Sequence, residues 1–262
     1  MELSARLKAV ADSVCPARCC ADIGCDHGFL SIYLVENGIC ERMIAMDVNA
    51  GPLKRASEHT EERNFADIID IRLSDGFEAL EEGEAQEAVI AGMGGPLGLR
   101  ILYEGREKVC KMERIVLQLQ SEPAVVRYVL KEWGFKTENE VIVEEDSKFY
   151  TVLTLTPPGK FKSDITTVKD SYVSDIKNSL KDKDLRTLAR LTYGRILLER
   201  ADECISRFLS KEEDRLGEIY ECLGAKNSFT NRERMQELEK DIEVLMYAER
   251  IVASSQTGSS DD

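Results

Sequence analysis

Short apolar segments alternate with helical patterns along the first 156 residues, and this alternation restricts the fold more than any other feature. Each apolar segment is bounded by Gly, Asp, Ser or Pro, as buried strands are. Repeated strand, helix and strand units predict a parallel sheet with crossover helices. We expect strands at 19–23, 43–46, 68–73, 88–91 and 115–119, and helices at 29–36, 52–63, 97–109 and 123–133.

An amphipathic helix over residues 4–14, which Pro16 ends, precedes this alternation. Two strand-like runs follow it at 138–144 and 149–156, joined by residues 145–148, and they predict an antiparallel hairpin. A doubly wound sheet that ends in such a hairpin is typical of Rossmann-like class I methyltransferases, whereas nicotinamide-binding sheets usually stay parallel. By this analogy the fold class is α/β.

Thr156-Pro157-Pro158-Gly159 marks a domain boundary, because neither a strand nor a helix continues through two prolines and a glycine. We expect a Rossmann-like domain at 1–158 and a helical domain at 159–262.

In the second domain the apolar residues keep a three–four spacing, which predicts two long helices in an antiparallel hairpin or coiled coil. Residues 224–228 would link the helices, with Thr230 or Asn231 as the N-cap of the second helix. The Ser- and Gly-rich end, 254–262, is expected to fray.

No segment approaches the roughly 20 consecutive apolar residues that a membrane span requires, and the N-terminus carries no export signal. The eight cysteines are scattered, which favours free thiols and a reducing compartment. We therefore expect a cytoplasmic protein that is neither secreted nor embedded in a membrane.

Sulfur and imidazole groups, which are potential metal ligands, lie close together in the sequence at Cys15, Cys19, Cys20, Cys25 and His27. Adjacent side chains of a strand point to opposite faces, and no paired Cys-x-x-Cys occurs. The pattern therefore predicts no metal.

The net charge of −14 argues against indiscriminate phosphate binding, since nucleic-acid-binding proteins usually carry a basic face. The charge is unevenly distributed, however. Residues 160–200 contain ten Lys or Arg against six Asp or Glu, a local net charge of +4. This segment is the candidate for contacts with a nucleic acid.

Residues 22–28, Asp-Ile-Gly-Cys-Asp-His-Gly, follow the first strand and open a helix, where an open parallel sheet binds its nucleotide cofactor. Gly24 allows a ligand to approach the backbone closely. Asp26 stands where a pyrophosphate-binding loop has glycine, and its charge suits the cationic methionine end of S-adenosylmethionine better than two phosphates. We therefore expect this cofactor rather than NAD, bound by Asp22, Gly24 and His27.

Two further strands end in acids. Asp47, followed by Val48, ends the second strand, from which a carboxylate accepts hydrogen bonds from ribose hydroxyls; capping of the helix near Pro52 is the alternative. Asp75 and Gly76 close the third strand, where the carboxylate would accept from the adenine amino group or simply form a turn. Three acids at successive strand ends predict one cofactor cleft.

The fourth strand is followed by Gly92, Met93, Gly94 and Gly95. Many amino-directed methyltransferases place an Asn or Asp there, with two prolines and an aromatic residue, to hold the target amine. Three glycines instead offer backbone carbonyls and space for a flat base that enters edge-on, which speaks against an exocyclic amine as nucleophile. We expect the first three residues to bind cofactor and Gly95 to contact substrate.

Together, segments 22–30, 47–53, 72–76, 91–95 and 145–150 resemble the bacterial tRNA (adenine-22 N1)-methyltransferases, the TrmK family. The resemblance covers the whole Rossmann-like part, and a helical second domain also fits the family. It implies methylation of N1 of adenine-22 in tRNA, with S-adenosylmethionine as cofactor and tRNA as partner.

The chain departs from that family pattern at several positions. Cys25 stands where Ser is usual, Gly28 for Ala, Phe29 for Tyr and Ser31 for Pro, and Gln-Ser-Glu at 120–122 replaces Gln-Pro-Asn.

Adenine N1 carries a lone pair at neutral pH, so its methylation needs no general base but leaves a cation on the base. The enzyme's task is therefore in-line positioning and a nearby negative charge. Asp26 is the candidate for that charge, and His27 would support it without touching the substrate. The alternative is that Asp26 caps the helix that follows. Phe29 or Tyr33 would stack on the extruded base.

Two other interpretations stay open. A class I methyltransferase of a small molecule or protein would suit the acidic composition better, although it has no use for the basic segment. A non-catalytic tRNA-binding protein that keeps a cofactor cleft would differ only in turnover. In each case the chain is expected to be a monomer or a weak homodimer.

Overall fold

The structure is a computed structural model that describes residues 2–163, 165, 171–224 and 229–257. The chain forms two compact units, Met1–Ser174 and Asp175–Asp262.

The first unit extends past the boundary expected at Pro158, because the following residues pack onto it. The ring of Phe161 stacks on that of Trp133 with centroids 4.8 Å apart. The Trp133 indole N–H also donates to the carbonyl oxygen of Ile165 at 3.0 Å. These contacts attach the residues after Pro158 to the first unit, which ends at Ser174.

A seven-stranded sheet forms the centre of the first unit, in the order β3-β2-β1-β4-β5-β7-β6. Strands β1 to β5 run parallel, and β7 pairs antiparallel with both β5 and β6. The predicted doubly wound sheet with a terminal hairpin is confirmed. The strands are β1 (Ala17–Ile23), β2 (Cys40–Asp47), β3 (Ile69–Leu73), β4 (Glu87–Met93), β5 (Arg114–Leu119), β6 (Lys136–Glu145) and β7 (Lys148–Thr156).

The helices of the first unit are α1 (Ala5–Asp12), α2 (Phe29–Glu36), α3 (Ala50–Glu62), α4 (Gly95–Glu104), α5 (Arg106–Val109) and α6 (Pro123–Trp133). The single helix predicted at 97–109 is wrong, because the chain breaks at Gly105. A Cβ at that position would lie 2.4 Å from the ring of Phe77, so the missing side chain allows the ring to pack there.

The central strands are buried on both faces, which explains their continuous apolar sequences. Cys20, Met43, Val89 and Val116 are completely buried, and Val10 of α1 packs into the same core. This packing fixes the strand ends from which the candidate site is built.

The remaining helices are α7 (Tyr172–Leu180), α8 (Leu185–Ala189), a π-helical turn (Arg190–Gly194), α9 (Arg195–Arg200), α10 (Glu203–Gly224) and α11 (Phe229–Thr257). The side-chain amide of Gln256 donates to the carbonyl oxygen of Ala201 at 3.0 Å. Because this bond joins the end of α11 to the residue just before α10 begins, the two long helices run antiparallel, as predicted.

The ends of α11 differ from expectation. The helix begins at Phe229, so Thr230 and Asn231 lie inside it and neither is its N-cap. It continues through Thr257, so the predicted fraying is wrong for residues 254–257. Residues 225–228 and 258–262 lie outside the described residues.

In the part of the chain that the structure describes, no helix is long and apolar enough to cross a membrane. Within the same residues, no group of three or more His, Cys, Asp or Glu is arranged to hold a metal ion.

Candidate active site

The candidate site lies at the carboxyl edge of the sheet, around the point where β1 and β4 are neighbours but their helices lie on opposite faces. Open α/β sheets bind ligands at this switch point. Asp22 and Asp47 lie at the ends of β1 and β2, and Asp75 follows β3. The predicted acids therefore lie along one edge.

Asp22 is almost fully buried, with 3% of its surface exposed. Its Oδ2 accepts a hydrogen bond from the Ser31 hydroxyl at 2.8 Å. Burial raises the pKa of Asp22 to about 6, although the Ser31 hydrogen bond acts against the shift and the nearby Asp47 charge adds to it. A cationic ligand group beside this carboxyl would favour its ionised form.

The loop after β1 is fixed by main-chain bonds. The N–H groups of Gly24 and Cys25 both donate to the carbonyl oxygen of Met46, at 2.7 and 2.9 Å. Gly24 has φ +75°, and a Cβ there would lie 2.2 Å from the terminal methyl of Met93. Glycine is required here for conformation and for space.

Asp47 is buried and its carboxylate accepts two backbone hydrogen bonds. The N–H of Asp26 donates to Oδ2 at 3.3 Å, and the N–H of Asn49 donates to Oδ1 at 2.8 Å. Helix α3 has Asn49 as its N-cap, so Asp47 is not the cap itself. It ties the glycine loop to the end of β2.

Apolar side chains stand exposed beside these acids. Val48 is 60% exposed and directly follows Asp47, Leu97 in the first turn of α4 is 42% exposed, and Leu73 at the end of β3 is 63% exposed. The exposure of Leu73 and Leu97 was not predicted, because the sequence does not distinguish an exposed apolar residue at the end of a strand or helix from a buried one.

Asp75 is half-exposed, and its Oδ1 lies 3.2 Å from Nη2 of Arg100 in α4. Gly76 has φ +56°, and a Cβ there would lie 3.1 Å from Ile101. These residues line a cavity of about 420 Å³. The Arg100 ion pair was not predicted, because it joins a loop to a helix of the next strand unit.

Asp26 adopts φ +49° and points its carboxylate outward, with 68% of its side chain exposed. Its Oδ1 lies 3.4 Å from Nε2 of His27. The N-cap of α2 is Gly28, without a side-chain capping bond. The capping alternative for Asp26 is therefore wrong.

His27 belongs to a cluster of three rings with Phe29 and His59. The ring centroid of Phe29 lies 5.6 Å from that of His27 and 4.9 Å from that of His59, and the two imidazole centroids are 6.2 Å apart. Nε of Arg55 donates to Nδ1 of His27 at 2.9 Å, so the imidazole proton is on Nε2 and faces Asp26. Both ring nitrogens thus face protein groups, and contact between His27 and a cofactor stays a prediction.

Tyr33 is half-buried against the core, and the Lys8 ammonium lies 6.0 Å from its ring centroid. Its predicted stacking on a base stays a prediction. Phe29, one turn earlier in α2, is more open, at 39% exposed.

Strand β4 continues to Met93 with a bulge between Ala91 and Met93, so Gly92 and Met93 lie inside the strand and not after it as expected. Gly92 has φ +80°. Gly95 is buried, and a Cβ there would lie 2.3 Å from the carbonyl oxygen of Ser121. The Gly95 N–H donates to the Ser121 hydroxyl at 3.0 Å, so the Ser that departs from the family pattern holds this glycine segment.

Three residues missed by the sequence reasoning complete the site beyond β4. Oε1 of Gln118 accepts from the Gly92 N–H at 3.2 Å and from Nη1 of Arg6 at 2.9 Å. The Arg6 guanidinium carbon lies 5.7 Å from the ring centroid of Tyr150. The available signal was Gln118 itself, a polar residue inside the apolar segment 115–119.

Residues 3–153 match the family model described as a methyltransferase domain. The chain is 38% identical over 157 residues to the tRNA (adenine(22)-N(1))-methyltransferase of Bacillus subtilis, a match that spans 58% of this chain and 64% of that relative. The match thus covers just under two thirds of the relative.

Solved structures of similar fold extend over both units. The crystal structure of the B. subtilis m1A22 tRNA methyltransferase TrmK matches with a TM-score of 0.75 and 28% identity, covering 94% of this chain and 98% of that chain. The structure of Streptococcus pneumoniae Sp1610 in complex with S-adenosyl-L-methionine matches with a TM-score of 0.74 and 28% identity. The match covers 94% of this chain and 99% of that chain. The resemblance drawn from the sequence is confirmed.

Proposed function

Because this chain belongs to the methyltransferase-domain family, we propose that it methylates N1 of adenine-22 in tRNA, with S-adenosylmethionine as methyl donor. The observation that carries the proposal is the set of acids at the ends of three neighbouring strands around a glycine loop. The relatives named for this activity, and the similar structure that holds the cofactor, support it. Such an enzyme works in the cytoplasm, where its tRNA substrate is found.

The residues of the cleft fit S-adenosylmethionine, which supplies a methyl group on a sulfonium. Asp22 is a buried carboxyl suited to the cofactor's ammonium group, and Gly24 gives the loop between β1 and α2 a backbone without a side chain. Asp47 suits the ribose hydroxyls. The exposed side chains of Val48 and Leu97 offer apolar surface for the adenine ring.

We infer that Asp26 acts on charge that develops during the reaction. Adenine N1 needs no deprotonation, and the product base is cationic. A carboxylate stabilises that cation in the transition state more than it stabilises the neutral substrate. The Nε2–H of His27 faces Asp26, which orients the carboxylate.

The glycine loop suits a base that enters edge-on. Gly92 and Gly94 present backbone rather than side chains, and Phe29 is 39% exposed in its ring cluster with His27 and His59. An aromatic face of this kind holds an extruded base by stacking. Extrusion is needed because the enzyme must reach an atom of a base within folded RNA.

The basic segment of the chain is assigned to tRNA docking. Several of its arginines are paired within the second unit, Arg190 and Arg195 with Glu199 and Arg200 with Asp202. Lys183 and Arg186 flank the start of α8 and are exposed. These two are the best candidates for phosphate contacts.

The test is to incubate the full chain with labelled S-adenosylmethionine and unmodified tRNA transcripts, then map the labelled nucleoside. A transcript with guanine at position 22 is the matched control. We expect 1-methyladenosine at position 22 and no label in the control.

Label at another nucleotide would overturn the proposed position. Turnover only with small molecules or proteins would establish the first alternative. Binding of both tRNA and S-adenosylhomocysteine without any turnover would establish the non-catalytic alternative.

A further inference from the structure

Arg6 is held over the acceptor side of the site by contacts that are 112 to 139 residues distant in the sequence. Its backbone N–H donates to Oε2 of Glu145 at 2.7 Å, and its Nη1 donates to Oε1 of Gln118 at 2.9 Å. A Cβ built on Gly92 would lie 3.7 Å from that same Nη1. The guanidinium therefore lies beside Gly92, which is exposed near the carboxyl end of β4.

Gln118 is fully buried, and its orientation is fixed by chemistry. Both groups that face Oε1 are N–H donors, so a flipped amide would set donors against donors. Its Nε2 has no hydrogen-bond partner among the described residues. Leaving a buried donor unpaired is costly, which indicates that the residue is kept for what its oxygen holds.

The Arg6 guanidinium has N–H donors that its described contacts do not use. The side chain is 22% exposed, and its Nε lies 4.0 Å from Oε1 of Glu145, with which it forms an ion pair. Its Nη1 donates to Gln118, so among the described residues Nη2 is the nitrogen whose donors are not used. The Tyr150 ring lies beside it and supports the cation. A rigid planar donor group thus stands beside the loop that is proposed to receive the base, on the side away from the acids.

We propose that Arg6 holds the target nucleotide by donating to one of its lone pairs: N3 or N7 of the adenine, or an oxygen of a flanking phosphate. Gln118 is a positioning residue that fixes Arg6 and the Gly92 bulge together. This inference rests on the proposed function and adds to it the residue that recognises the acceptor. Arginine suits the role because its fork is geometrically rigid.

The test compares the parent with Arg6→Met on four tRNAs: unmodified, 7-deazaadenine at position 22, 3-deazaadenine at position 22, and a methylphosphonate 5′ of position 22. Both tRNA affinity and single-turnover rate are measured. We expect Arg6→Met to lower the single-turnover rate at subsaturating tRNA about tenfold to a hundredfold, as for loss of a charge-assisted hydrogen bond. One of the three modifications should weaken the parent but not the variant.

The proposal is overturned if every modification weakens parent and variant equally, or if none affects the parent. Affinity does not require turnover, so a failure of the proposed activity would be seen separately, in the parent with unmodified tRNA. Arg18→Met, an exposed arginine at the start of β1 and so at the amino edge of the sheet, is the matched control and should change neither quantity. Unchanged affinity for S-adenosylhomocysteine shows that the fold is intact.

Gln118 is tested by two variants. Gln118→Met removes the acceptor for both Arg6 and Gly92, and the rate should fall about as far as in Arg6→Met. Gln118→Glu keeps an acceptor oxygen and should recover most of the rate. Equal loss in both variants would contradict the positioning role.

Discussion

The two halves of the sheet edge differ in what they present. Strands β1 to β3 end in carboxylates, at Asp22, Asp47 and Asp75, whereas the edge beyond β4 presents glycine backbone and the donor groups of Arg6. Acids suit a cationic cofactor with hydroxyls, and donors suit a nucleotide rich in lone pairs. Under the proposed function, the fold separates the donor and the acceptor of the methyl group by the charge of the groups that surround them.

The largest effect should come from Asp26, which lies where the two halves meet. Asp26→Asn keeps the size of the side chain and removes its charge, so we expect single-turnover rates to fall about a hundredfold to a thousandfold. Affinities for S-adenosylhomocysteine and tRNA should stay nearly unchanged, because the charge acts on a cation that forms during the reaction. Asp67→Asn, an exposed acid before β3, is the control. Full turnover in Asp26→Asn would remove Asp26 from the reaction.

The second prediction tests cofactor binding at the acidic half of the sheet edge. In Gly24→Ala the new methyl meets Met93 and the residue keeps φ +75°, so affinity for S-adenosylhomocysteine should fall by tenfold or more. The backbone strain alone costs about 1–2 kcal/mol in unfolding free energy. Gly38→Ala is a matched control, since Gly38 has φ +66° and nothing within 4 Å of its Cβ. Both variants should lose stability, but only Gly24→Ala should lose the ligand.

The third prediction concerns pH. Burial raises the pKa of Asp22 to about 6, so its carboxyl is largely ionised at pH 7 and mostly neutral at pH 5. If it contacts the ammonium of S-adenosylhomocysteine, calorimetric affinity should fall about tenfold between pH 7 and pH 5, since only the ionised form pairs with a cation. In Ser31→Ala the midpoint should move to higher pH, because a hydrogen bond that lowers the pKa is lost. An affinity independent of pH would contradict this contact.

The smallest effect is expected in the second unit. Lys183→Glu and Arg186→Glu should each weaken tRNA binding several-fold and make it less steeply dependent on salt, because each phosphate contact releases counterions. Lys136→Glu is the control, because β6 begins at the amino edge of the sheet, away from the site. Equal weakening by the control would show a general charge effect rather than a docking site.

The sequence was sufficient to place the three acids at one edge of the sheet, because each of them belongs to a local strand–loop unit, but it did not predict the Arg100 ion pair or the exposed Leu73 and Leu97. Asp22 and Gly28 lie within one strand–loop–helix unit, and Asp47 closes the next strand. The donor half depends on Arg6 and Gln118, which meet only when an N-terminal helix folds over the fifth strand. Periodicity reports which face of an element is apolar, but not which elements meet.

Other departures also depend on contacts between residues that are distant in the sequence. The break of the helix at Gly105 depends on Phe77, which lies in a distant loop. The first unit extends past Pro158 because the ring of Phe161 stacks on that of Trp133. Prolines and glycines show where an element ends, but not where a unit stops packing.

The separation of the two halves is tested most directly by measuring both ligands on two variants, Asp47→Ala and Arg6→Met. Calorimetry with S-adenosylhomocysteine and filter binding with unmodified tRNA give four affinities to compare with the parent. The account predicts that Asp47→Ala loses affinity for S-adenosylhomocysteine and keeps tRNA, whereas Arg6→Met loses tRNA and keeps S-adenosylhomocysteine. Parallel loss of both ligands in both variants would contradict it.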